Sequence, residues 1–228
     1  MKHSFFLFVL IINLCYMSAF AQSNVNAIDK ELAYTQAIYN RAEKIVAALG
    51  IPDTYKFTRV KNIITGQYRS LNDIYTFRDE QIKIAKIRHN ENSQDFKEDI
   101  TKIEQRSAAQ IEVLHPKFLS ALSKELTPEQ IDQVKDGMTY DVVHVTYNGY
   151  NQMILTLTDE QKEQIMTWLI EAREHAMDAE SSDKKHAWFG KYKGRINNYL
   201  SAAGYDLNQA GKDWEKRRNA SKAEAVNK

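Results

Sequence analysis

The sequence predicts an all-α fold: a multi-helix bundle built on one long antiparallel helix hairpin, with a single irregular or short β-hairpin segment near residues 139–156. Three observations carry that prediction. Only eight glycines and three prolines punctuate 228 residues. Apolar residues recur at three- and four-residue steps over most of the chain, which is the period of one helical face. Two segments spell out a helix start, Leu126-Thr127-Pro128-Glu129-Gln130 and Leu157-Thr158-Asp159-Glu160-Gln161.

Taken in order, Ile28, Leu32, Ile38, Ala42, Ile45, Val46 and Leu49 form the first stripe, and Gly50 stands where a helix C-terminus favours glycine. Pro52 and Asp53 restart the chain. Val60, Ile64, Tyr68, Leu71, Tyr75, Phe77 and Ile82 mark a second helix from about Tyr55 to Arg88, and His89–Asp95 is polar and turn-like. The return helix shows Phe96, Ile100, Ile103, Ile111, Leu114 and Phe118, with Pro116 expected to kink or restart it. Threonine followed three residues later by Gln is a capping box, so Thr127 and Thr158 start two further helices. Between them, Tyr140, Val142, Val143, Val145, Thr146 and Tyr147 are β-type residues, and Asn148-Gly149 is a two-residue hairpin signal. Helices are expected again over Thr158–Ala179, Asp183–Ala203 and Leu207–Arg218. The resulting plan is a signal peptide over 1–21, one helical domain over 22–218 and a flexible tail over 219–228.

The signal-peptide reading rests on Lys2, the unbroken apolar run Phe5–Ile12 and the small-x-small Ala19-Phe20-Ala21. Asn13 interrupts that run well short of the roughly 20 apolar residues a membrane span needs. Cleavage near Ala21 gives a periplasmic or secreted protein with no membrane insertion. Removing 21 of the 228 residues leaves 207, enough to bury roughly 70% of the unfolded surface. Cys15, the only cysteine, leaves with the signal, which excludes disulfides, thiolate metal sites and cysteine nucleophiles from the mature chain. Lys2 is also the only Lys, Arg, Asp or Glu of that segment, so 31 basic residues become 30 against 30 acidic ones. Such a balance argues against nucleic acid as a partner.

No phosphate loop, zinc helix or exposed nucleophile motif is present, so no cofactor or metal is expected. Glu171, Glu174, His175 and Asp178 share helical faces at four-residue spacing, but the pattern lacks the Glu-x-x-His step of di-iron bundles. A solvated face balanced by Arg173 is the plainer reading. His144 stands out among the histidines for its irregular segment, beside Tyr140, Asp141, Tyr147 and Tyr150. In the stretch Lys184–Leu207, Phe189, Tyr192, Ile196, Tyr199 and Leu200 fall on one face and read as core. Gly190, Gly194, Asn197 and Ser201 form a small face, and each mid-helix glycine costs roughly 1 kcal/mol relative to alanine. Either a neighbouring helix or a ligand would need that close approach. Trp188, Tyr147, Tyr150, Asn197, Asn198 and Arg195 have the flat apolar faces and planar hydrogen-bonding groups that sugar recognition needs. Glu174, His186 and Lys191 complete the candidate ligand-binding set; no catalytic residue is assigned.

Four segments carry a resemblance: "RVKNIITGQYRSLNDIY" (Arg59–Tyr75), "VKDGMTYDVVHVTY" (Val134–Tyr147), "EAREHAMDA" (Glu171–Ala179) and "KHAWFGKYKGRINNYLSAAGYDL" (Lys185–Leu207). Together they resemble the family called domain of unknown function 3826, through nearly the whole mature chain. The resemblance implies an exported, candidate sugar-binding protein of polysaccharide-degrading Gram-negative bacteria, with no catalytic residues to transfer. The family often places a proline before the second Leu-Thr, where this chain has Leu155-Thr156.

Three functions are therefore in view. The first is an exported carbohydrate-binding or accessory protein whose partner is an oligosaccharide or polysaccharide fragment. The second is a glycan-active hydrolase or lyase using Glu174, Asp141 or His144. The third is a periplasmic helical chaperone or adaptor, because the two Leu-Thr-x-x-Gln starts resemble those of small chaperones.

Overall fold

The first helix, α1 (29–48), ends at Gly50, whose φ of +63° is the left-handed conformation that glycine adopts without a Cβ penalty. The computed structural model describes residues 29–226, with side chains through 222; the signal-peptide reading of residues 1–21 lies outside them. The buried stripe of α1 starts later than expected, at Ile38, because Leu32 is 62% exposed. From there Ile38, Ala42, Ile45, Val46 and Leu49 all face inward.

Asp53 caps the next helix, α2 (Thr54–Arg88), by accepting from the backbone N–H groups of Tyr55 and Lys56. Ser93 caps its antiparallel partner α3 (Gln94–Ser123). The two form the expected hairpin, and Pro116 lies inside α3 without dividing it. Both capping boxes form. Thr127 and Gln130 exchange bonds at the start of α4 (Pro128–Met138), and Thr158 and Gln161 do so at α6 (Asp159–Met177).

The β-hairpin is the main correction. Residues Val142–Met153 form a helix, α5, and no strand occurs among the described residues. The preference of valine and threonine for strands depends on having a sheet to pack into, and here there is none. Val143, Tyr147, Tyr150 and Ile154 instead follow a helical spacing and enter a hydrophobic cluster, which places Asn148 and Gly149 inside a helix. The turn before α5 falls on Tyr140 and Asp141, both left-handed at φ of 61° and 56°.

Helix α7 (Ser182–Ala202) starts at Ser181, whose hydroxyl accepts from the Lys184 N–H. Helix α8 (Leu207–Val226) continues past Asn219, where a flexible tail was expected. Arg217 ties α8 to the end of α5 by donating to the carbonyls of Gln152 and Met153.

Two cores result. α1–α4 enclose Val46, Val60, Ile64, Leu122, Val134 and Met138. α5–α7 enclose Tyr150, Ile165, Leu169, Phe189, Ile196 and Leu200, with α8 against them. α6 belongs to both, since Met177 at its C-terminus packs into the first core. Polar residues cross the seam at that point. Buried Arg173 donates to Asp136 and Asp132 at 2.8 and 2.6 Å, and Lys135 reaches Glu174.

Glycine expectations also reverse. A Cβ at Gly190 or Gly194 would meet nothing within 4 Å, so no helix packs closely against these two glycines. A Cβ at Gly137 would lie 2.9 and 3.2 Å from two carbons of buried Ile45. Ile45 is β-branched and stiff at χ1, so it yields poorly. Gly137→Ala is expected to lower unfolding free energy by about 1–3 kcal/mol through overpacking. Gly190→Ala and Gly194→Ala should each raise it by up to about 1 kcal/mol. Chemical denaturation of the three variants reads the opposite signs directly.

Candidate ligand-binding cleft

The seam opens into a cleft of about 740 Å³ between the α2/α3 hairpin and the α6–α7 corner. Its geometry follows from how the end of α6 is satisfied. The last carbonyls of a helix have no intrahelical partner. Here side chains supply them: Lys185 Nζ donates to the Ala176 and Met177 carbonyls at 3.0 and 2.8 Å, and the Tyr75 hydroxyl donates to the Asp178 carbonyl at 2.8 Å. The Asp178 carboxylate accepts from buried Gln67 at 3.1 Å and bonds His115 Nδ1 at 2.5 Å. Asp178 thus joins α2, α3 and α6.

His115 sits between two acids, with Nε2 lying 3.6 Å from Glu174. The Asp178 bond, reinforced by Glu174, raises its pKa from 6.5 to about 9, so the imidazole is charged at neutral pH. Burial alone would push Glu174 up. His115, Lys135 and Arg173 outweigh it and hold the carboxyl at about 2. The expectation of a solvated acidic face fails here, because Arg173 and Asp178 are buried and Glu174 is half-buried.

The signs for stability follow by linkage. The His115 contribution is complete below its ordinary value of 6.5 and disappears as pH rises to about 9. Burial lowers Lys185 from 10.5 to about 8, so between those values folding gains from the neutral amine and opposes the His115 loss. The Glu174 contribution is present above 4.5 and is lost as pH falls towards 2. Because two groups oppose each other on the alkaline side, the His115 titration itself is the cleaner observable. An NMR titration is expected to place its midpoint near 9, and in Glu174→Gln to place it lower but still above 6.5.

Aromatic side chains form one wall. The exposed His175 ring stacks on Trp188 with centroids 4.4 Å apart and planes 17° from parallel. Lys191 Nζ lies 5.1 Å from the indole centroid. The facing wall carries Tyr75, with the Arg78 guanidinium 4.8 Å from its ring centroid. Arg78 is also ion-paired with Glu180 across the α6–α7 connection. Glu104, Ala108, Ile111, Glu112, Ala179 and Lys184 complete the lining.

Of the twelve residues anticipated, the cleft contains Glu174 and Trp188. The segments Tyr140–Tyr150 and Lys185–Asn198 do meet, through contacts outside it. Tyr140 stacks on His186 with centroids 5.6 Å apart, and the Tyr150 hydroxyl donates to Asn197 Oδ1 at 2.6 Å. Tyr150 is buried, which raises its pKa to about 12, and it braces α5 on α7. Tyr147 packs into the second core. Arg195 lies over Trp168 and near Glu171, and Asn198 is exposed. Asp141 bonds His144 Nδ1 at 2.6 Å. Asp136, Asp141 and His144 bring ligand-type atoms within 4.8 Å of one another, but Asp136 already serves Arg173. Sequence reasoning missed Tyr75, Arg78 and His115, which reach the cleft from other helices and show no local motif.

An all-helical protein with a polar, aromatic-walled cleft at the junction of two cores is the class this arrangement defines. The sequence pattern of DUF3826, described as a protein of unknown function, matches residues 35–220, and the chain belongs to that family. No curated protein matches it. None of the described helices is long and apolar enough to cross a membrane.

Proposed function

We propose that the cleft binds a neutral or weakly basic, hydroxyl-rich saccharide, and that the protein serves as an exported carbohydrate-binding or accessory protein. The stacked His175–Trp188 wall carries this reading. It offers the flat apolar face a sugar ring needs, opposite planar hydrogen-bonding groups on Arg78, Glu104 and Glu112. A volume of about 740 Å³ lies within the usual range for small-ligand sites. The lining sets Glu104, Glu112, Glu174, Asp178 and Glu180 against Arg78, Lys184 and charged His115, which disfavours polyanionic glycans. Export is supported by the signal-like character of residues 1–21.

A glycosidase reading is less favoured. Its general acid must be a carboxyl with a raised pKa, whereas Glu174 is held deprotonated at about 2. One observation favours the adaptor reading: Phe77, Ile84 and Ile87 of α2 are 40%, 45% and 87% exposed. Suppression of client aggregation, abolished by Ile87→Ser, would support that reading. Calorimetric titration with a panel of neutral oligosaccharides tests the first. Saturable one-to-one binding is expected, and silence across a broad panel would overturn it.

A further inference from the structure

A second, smaller cavity of about 100 Å³ lies beside the cleft and shares Tyr75, Ala179 and Glu180 with it. That volume is worth about three water molecules, room for one compact group and not for a sugar ring. Lys185 borders it at 6% exposure. An ammonium has three N–H donors, and two of these go to the Ala176 and Met177 carbonyls, leaving one uncommitted. Exposed Arg41 also borders the cavity, near enough for its charge to act on Lys185, and makes no ion pair among the described residues.

Of the nearby acids, Asp178 favours the charged form of Lys185 and Glu180 borders the cavity, but neither is free of other partners. Both Asp178 oxygens are engaged, one by Gln67 and the other by His115, and Glu180 is ion-paired with Arg78. The cavity is also rich in donors. Tyr68, Asn72, Tyr140 and Ser182 line it with side chains that have no hydrogen-bond partner among the described residues. Ser181 and Ser182 bring the N-terminus of α7 to its edge, where unpaired backbone N–H groups favour negative charge. Two like charges converging on a donor-lined space are stabilised by an anion between them.

We propose that this cavity binds a single oxyanion group, a carboxylate, sulfate or phosphate, gripped by Lys185 and Arg41. The group arrives either as a free ion or as an acidic substituent on a larger molecule. The site is distinct from the saccharide cleft and stands whether or not that cleft takes sugar.

Titration calorimetry of the folded protein with sodium sulfate, sodium phosphate, a sulfated monosaccharide and its unsulfated parent tests the site. One-to-one binding of at least one oxyanion-bearing probe is expected, weakened about tenfold or more in Arg41→Gln through loss of a charge-assisted contact. Comparable binding of the free ions and the sulfated sugar identifies a free-ion site, while binding of the sulfated sugar alone identifies a substituent site. Lys185→Met should abolish binding but also uncaps α6, so the exposed Arg41 variant, with an unchanged melting temperature, carries the test. Trp188→Ala should leave free-anion binding intact, which separates this site from the cleft. If no oxyanion binds at millimolar concentration, or if binding is undiminished in Arg41→Gln, the proposal is wrong.

Discussion

Asp178→Ala is expected to be the most destabilising single change in the cleft, lowering the unfolding free energy by roughly 3–5 kcal/mol. Its carboxylate is 9% exposed and, among the described residues, is the only side-chain group that holds α2 and α3 to the end of α6 at once. Alanine removes the acceptor of a buried Gln67 amide and leaves the His115 charge facing Glu174 alone. Breaking a buried pair strands the remaining partner, which is why the effect exceeds that of an exposed ion pair by several-fold. A chain of this size should show a fall of about 10 °C in melting temperature. The same variant should bring the His115 midpoint down from about 9, since the Asp178 bond is the largest cause of its elevation. A stability change under about 0.5 kcal/mol, the range of ordinary surface substitutions, would mean that the corner is held by something else.

Trp188→Ala should weaken saccharide binding by about tenfold to a hundredfold, the range for losing one aromatic platform. Its effect on stability should be much smaller, because the indole is only half-buried and sits at the edge of the second core. Trp188→Phe should restore part of the affinity by keeping a flat face. His175→Ala should lower affinity less than Trp188→Ala, as it removes only the partner ring of the stack. Tyr147→Ala should leave affinity unchanged, since Tyr147 packs into the second core and takes no part in the cleft. Equal losses in the Tyr147 and Trp188 variants would show that the cleft has been misplaced.

Much of the fold was legible because local rules and tertiary packing agreed. The capping boxes at Thr127 and Thr158 formed as written, and the α7 stripe of Phe189, Ile196 and Leu200 is fully buried. α5 was not legible because two signals competed. Valines and Asn148-Gly149 spoke for a hairpin, while Val143, Tyr147, Tyr150 and Ile154 kept a helical period, and burial decided for the period. The small face of Gly190 and Gly194 signalled a close approach that does not exist, whereas the tight contact lies at Gly137, whose neighbour Ile45 belongs to another helix. The cleft divides along the same line. Trp188 and Glu174 were recognisable by residue type. The partners of Asp178, His115 and Tyr75, stand 63 and 103 residues away in sequence, and no spacing rule spans that distance. Arg173, read as a surface counter-charge, is instead the buried cation that fixes α4 to α6.

A saccharide in the cleft would lie against Trp188, with His115 among the lining residues. NMR of the folded protein, titrated with a panel of neutral oligosaccharides, reads this out through the indole N–H signals of Trp168, Trp188 and Trp214 together with the His115 imidazole. Saturable shifts are expected at Trp188 and His115 with at least one ligand, while Trp214 on α8 stays still. Shifts confined to Trp168 or Trp214, or none at all across the panel, would mean that the cleft takes no such ligand.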